Sequence, residues 1–175
     1  MNPDADIPGD LIAMRRYARA LTRDDQDADD VVQDSILRAI ERKRSFKPEF
    51  SRRRWLLAIV HNVFISGKRR EAAEARRNDR FAETLERNPD LEQEQRVRLS
   101  RIASAYASLP EHHRAVLHLT AVEGLTYQEV ADVLDIPVGT VMSRLSRARE
   151  ALKQREQGQR EQGASPLRIV GGGNG

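Results

Sequence analysis

The sequence contains no cysteine, so neither a disulfide framework nor a thiolate metal site is available, and a reducing compartment suits it. Aromatic residues make up only 5% of the chain, and no stretch alternates β-branched and polar residues over a strand's length. Helices packed through Leu, Ile, Val and Ala are therefore expected. No run is apolar enough to span a bilayer, and MNPDADIPGD is acidic with no apolar signal-peptide core, so a cytoplasmic chain without membrane insertion is expected. The four histidines, His61, His112, His113 and His118, show no HExxH spacing, and neither a nucleotide-binding glycine loop nor a Ser or Cys nucleophile motif occurs. Neither a metal site, a cofactor nor an enzymatic activity is expected.

What the chain does have is segregated charge. The net charge is only +3, yet residues 24–34, DDQDADDVVQD, hold six aspartates and no base. Between Arg38 and Arg54, eight charged residues are Lys or Arg and only Glu41 and Glu49 are acidic; a second basic cluster, KRREAAEARR, begins at Lys68. Such blocks either solubilise a surface or divide it between a protein partner and nucleic acid.

The stretch TYQEVADVLDIPVGTVMSRLSRAREALK, residues 126–153, reads as two helices. Thr126 with Glu129 three residues on forms a capping-box start. Val130, Ala131 and Leu134 give the first helix its apolar side, and Pro137 cannot sit inside a continuing helix, so the chain turns over Asp135–Pro137. In the second helix Val138, Val141, Leu145, Ala148 and Leu152 make one stripe at spacings of three and four. Thr140, Ser143 and Arg147 fall opposite it, with Arg144 and Ser146 on the flanks. This is the pattern of a helix-turn-helix that enters a major groove, although the helical pair alone leaves a plain solvated face equally open.

Upstream, Leu11, Met14, Ala18 and Leu21 form a helical stripe, a second helix runs from about Asp27 to Arg44, and a third starts near Arg52. On the second helix Ala28, Val32, Ser35 and Ala39 face one way. Leu37 and Ile40 project on the other side among Asp30, Gln33, Asp34 and Glu41, an apolar centre with a polar rim as at protein interfaces. The expected fold is all-α: two small helical domains joined by a flexible linker, the second containing the helix-turn-helix. The boundaries are 1–70, a charged linker or weakly held helix at 71–95 broken by Asn88-Pro89, a second domain at 96–153, and a Gly- and Gln-rich disordered tail at 154–175.

The runs DADDVVQDSILRAI, WLLAIVHNVFI and LPEHHRAVLHLTAVEGLTYQEVADVLDIPVGTVMSRLSRARE resemble, in order, the extracytoplasmic-function (ECF) sigma factors of bacterial RNA polymerase, group 4 of the sigma-70 family. The resemblance covers about Leu11 to Lys153. It implies a first domain like sigma region 2 and a second like region 4. Its implied polymerase-binding residues are Asp30, Gln33, Asp34, Leu37 and Ile40. Those implied for the minus-10 element are Ser45, Phe46, Lys47, Phe50, Arg53 and Asn62, where rings among cations suit single-stranded bases or anchor the loop in the core. For the minus-35 element they are Thr140, Ser143, Arg144, Ser146 and Arg147. The implied partners are RNA polymerase core enzyme, promoter DNA and an anti-sigma factor. Two departures from the family pattern carry expectations: Met142, where many relatives have Lys or Arg, weakens one DNA contact, and Ser66-Gly67 frays the end of its helix. The rival reading is a helix-turn-helix regulator that does not join polymerase, which leaves the first two runs without a purpose.

Overall fold

The computed structural model describes residues 7–47, 51–77 and 103–163, and the ordered elements among them are helical. In chain order they are α1 (Ile7–Thr22), α2 (Asp25–Glu41), a 3-10 turn at Lys43–Ser45, α3 (Arg52–Arg77), α4 (Glu111–Ala121), α5 (Tyr127–Leu134) and α6 (Val138–Gly163). A short helical stretch at 103–107 leads into α4.

The helix ends follow local chemistry. Asp24 caps α2, its carboxylate accepting from the N–H groups of Gln26 and Asp27 at 2.8 and 3.0 Å. Gly124, at φ +70, ends the chain's path out of α4 in a conformation that costs a glycine little. The capping box at Thr126 is formed from both sides, and the chain leaves α5 through Asp135 in the left-handed region, at φ 52 and ψ 52.

α1, α2 and α3 pack on one another to form the first unit, and α4, α5 and α6 form the second. The units also pack together, α1 against α4 and α3 against α5. One continuous core results: Met14, Tyr17 and Leu21 of α1 and Leu57, Val60 and Phe64 of α3 join Val116 and Leu119 of α4, Val130 of α5, and Val141 and Leu145 of α6.

Three expectations need correction. Leu11, placed in the stripe of α1, is 41% exposed, because the stripe turns toward α2 and α3 through Met14, Ala18 and Leu21 instead. The helix of the first domain does not fray at Ser66-Gly67. α3 runs on to Arg77 through REAAEARR, a run of strong helix formers with Arg70 and Glu74 at favourable spacing. Likewise the tail is not irregular from 154: α6 continues to Gly163, and the Gln154 amide donates to Glu150 at 3.0 Å one turn back. The remaining parts of the linker and tail, 78–95 and 164–175, lie outside the described residues.

Candidate nucleic-acid interface

The capping box fixes where α5 begins. The Thr126 N–H and hydroxyl each donate to Glu129 at 2.9 Å, and the Glu129 N–H donates back to the Thr126 hydroxyl at 3.3 Å. These bonds, the backbone one foremost, hold the Glu129 carboxyl below its usual range. After the turn at Asp135–Pro137, α6 seats Val141, Leu145 and Ala148 in the core, each at most 2% exposed. Its opposite face is thereby fixed outward. Ser143, Ser146 and Arg147 are exposed, whereas Thr140 and Arg144 are half-buried. The Ser143 hydroxyl donates to the Thr140 carbonyl at 3.0 Å, which leaves its oxygen free to accept. Met142 is 54% exposed.

On α2 the two faces separate as the helical period requires. Ala28 and Ser35 are buried, while Asp30, Gln33 and Asp34 are exposed, with Leu37 at 60% and Ile40 at 66%. Behind this face a cleft of about 350 Å³ runs between α2 and α3, with Asp27, Asp30 and Asp34 on one wall and Lys68 and Arg70 on the other.

The residues between α2 and α3 are brought together only in part. Ser45 and Lys47 are exposed, and the Ser45 hydroxyl donates to the Arg42 carbonyl at 2.7 Å. Phe46 rests on Trp55, ring centroids 5.2 Å apart, so the ring is anchored along one side and half-buried. Phe50 lies outside the described residues. Arg53 is drawn to Asp10, as is Arg52, at 3.2 and 2.6 Å. Asn62 is exposed on α3. It stands nine residues beyond Arg53, about 14 Å along the helix.

Sequence reasoning missed the seam between the units. Arg114, only 5% exposed, donates from Nε to the Ala20 carbonyl at 2.7 Å and from Nη2 to the Leu21 carbonyl at 2.8 Å. It also donates to the Leu109 carbonyl. Arg16 grips Glu123 at 2.7 and 2.9 Å, and His118 Nε2 meets the same carboxylate oxygen at 3.1 Å. The Tyr17 ring stacks on His118, and its hydroxyl meets His61 Nδ1 at 3.0 Å. Burial keeps the Tyr17 phenol protonated and pushes His61 down to about 4, helped by the nearby Arg144 cation and opposed by Glu111. Arg144 of α6 is accordingly only half-exposed. Arg54 approaches Glu129 at 3.5 Å, and Lys68 pairs with Glu111 at 2.5 Å. No local pattern in the sequence marks Arg114, whose acceptors at Ala20 and Leu21 lie 94 and 93 residues away.

Two family models match the chain: the Sigma2 domain of PhyR over residues 7–61, and Sigma-70, region 4, over residues 99–152. The chain is 32% identical over 148 residues to the ECF RNA polymerase sigma factor EcfG of Rhodopseudomonas palustris, covering 84% of this chain and 81% of that one. It is 34% identical over 145 residues to the ECF RNA polymerase sigma-E factor of Haemophilus influenzae, with 75% of each chain covered. In structure it is similar to the sigma factor RpoE of Bartonella quintana, solved in complex with the anti-sigma factor NepR. There the TM-score is 0.74 at 27% identity, covering 87% of this chain and 94% of that one.

Proposed function

The chain belongs to the extracytoplasmic-function sigma factors of RNA polymerase, and from that premise we propose how its surfaces divide the work of transcription initiation. As a sigma factor it binds the core enzyme and promoter DNA. The exposed Leu37 and Ile40, framed by Asp30, Gln33 and Asp34, dock the core enzyme. Desolvating two branched side chains inside a carboxylate rim gives both area and orientation. The minus-35 element is read by α6, with Ser143 and Arg147 toward base edges, Thr140 and Ser146 beside them, and Arg144 at the phosphates. The minus-10 element is met by Ser45, Phe46, Lys47, Phe50 and Arg53, with Asn62 assisting strand opening. Arg53 has then to exchange Asp10 for a phosphate.

The same proposal gives the chain no catalysis of its own and a cytoplasmic place beside polymerase. No helix among the described residues is long and apolar enough to cross a membrane. Since the RpoE relative was solved with an anti-sigma factor, we carry an inhibitory partner of that kind over to this chain. Pull-down from the native cell tests it, and recovery of no such protein argues against it.

One observation carries the reading: both halves match sigma regions, in sigma order. The rival regulator accounts for the second half alone and is not favoured. Transcription by core polymerase with and without the protein tests the proposal; initiation that does not depend on the added chain overturns it. The packed arrangement adds an expectation for the free chain. Arg54 lies at the seam, held toward Glu129, so isolated protein binds promoter duplex weakly until polymerase sets the spacing of the two halves.

A further inference from the structure

Met142 stands out on α6 because it is apolar, 54% exposed and surrounded by groups that suit nucleic acid. It is the fifth residue of the helix, within the N-terminal part that reaches base edges in this class of motif. Ser146, one turn on, shares its face, and Ser143 adjoins it. Together with Tyr127 at the start of α5, Met142 and Ser146 line an open cleft of about 330 Å³ whose far end carries Arg149 and Lys153. Glu150 is the single carboxylate there. A surface rich in cations and hydroxyls, continuous with the face assigned to the minus-35 element, favours duplex DNA as the occupant over an apolar protein segment.

In the major groove a thioether has one apolar feature to meet. Guanine and adenine offer acceptors and a donor, cytosine offers a donor, and thymine alone adds a methyl group. Met142 has no hydrogen to donate, so Lys- or Arg-type recognition of guanine is closed to it. Its unbranched side chain adapts its shape to a small apolar group. We propose that Met142 reads the C5-methyl of a thymine in the minus-35 element, making it a specificity determinant of this sigma factor. The inference rests on the reading that α6 enters the major groove.

The test uses holoenzyme assembled from core polymerase and the full chain, as wild type, Met142→Ala and Arg147→Ala. Transcription from a library randomised over the minus-35 element gives each protein's base preferences. The best promoter is then remade with each minus-35 thymine replaced singly by uracil, which removes only the methyl. Wild type should favour thymine at one position and lose about fourfold in activity on the corresponding uracil promoter, the scale set by burial of one methylene-sized group. Met142→Ala should lose that thymine preference, ignore the uracil replacement and keep its preferences elsewhere. A wild-type enzyme indifferent to uracil at every position, or a Met142→Ala enzyme that still distinguishes thymine from uracil, overturns the inference. Arg147→Ala separates the two levels. If it alters preference at its own position while Met142→Ala changes nothing, only the methyl contact is wrong; if neither variant alters any preference, the groove reading falls with it.

Discussion

Arg114 caps a helix to which it does not belong: its guanidinium, rooted in α4, donates to the Ala20 and Leu21 carbonyls at the C-terminal end of α1. Those carbonyls have no partner within their own helix. A cation there also answers the negative end of the helix dipole. The relationship ties the two halves of the protein together through backbone groups.

Arg114→Ala should therefore loosen the seam. Charged hydrogen bonds to buried carbonyls contribute about 1.5–3 kcal/mol each in typical cases, and leaving the acceptors unpaired adds to the loss. Denaturant unfolding should register a loss of at least about 2 kcal/mol. Small-angle scattering should record a larger radius of gyration. An unchanged radius and midpoint would deny the seam its role.

Acidification should act on the same seam through His61. Unfolded, this imidazole takes up a proton at about 6.5, whereas in the fold burial, aided by Arg144 and opposed by Glu111, lets it do so only near 4. In that window the unfolded chain binds more protons than the folded one. Stability is thus fully present above about pH 6.5 and falls as the pH drops. His118, also held down by burial, adds to the fall in the same direction, while its contact with Glu123 opposes it. Between pH 6.5 and about pH 5, His61 alone should account for about 2 kcal/mol. Thermal melts of His61→Gln should show a shallower decline across that range; an identical slope would refute the assignment.

On α2, Asp34→Arg, or Leu37→Ala combined with Ile40→Ala, should weaken binding to core polymerase about tenfold or more. All three side chains are exposed, so circular dichroism and melting temperature should stay near wild type. Titration of labelled core enzyme measures the effect, and unaltered affinity would remove this face from the interface.

The two arginines of α6 should leave different traces. Arg147→Ala should flatten discrimination at one minus-35 base pair, at a cost of about 1–3 kcal/mol, whereas Arg144→Ala should weaken all sequences alike and lower the salt slope by about one unit. Val141→Asp, which buries a carboxylate at a fully enclosed position of the shared core, should instead unfold the protein. Transcription across minus-35 variants at several salt concentrations distinguishes these outcomes.

Much of this was legible in the sequence, for local reasons. The Thr126 box, the turn at Asp135–Pro137 and the stripe of α6 are each written within a few residues, where caps, proline and periodicity act directly. The exposure of Leu37 and Ile40 followed from helical geometry in the same way. The seam was not legible, because periodicity says that Met14 and Leu145 are buried but not that they share one interior. Arg114 and Glu123 read as surface charges until the partner half supplies their bonds. The end of α3 is not fixed by the sequence, because a run of charges suits a solvated linker while its Glu, Ala and Arg content equally favours a helix that packs little.

The continuous interior also bears on cooperativity. Each half taken alone is small enough that its surface-to-volume ratio leaves it marginal. With Val60, Val116, Leu119 and Val130 enclosed in one shared core, neither half closes its own hydrophobic interior independently. Melting should accordingly run as a single transition across both halves. Amide protons in α1 and α4 should exchange with a common opening free energy, so the chain behaves in isolation as one folding unit despite carrying two separable recognition modules.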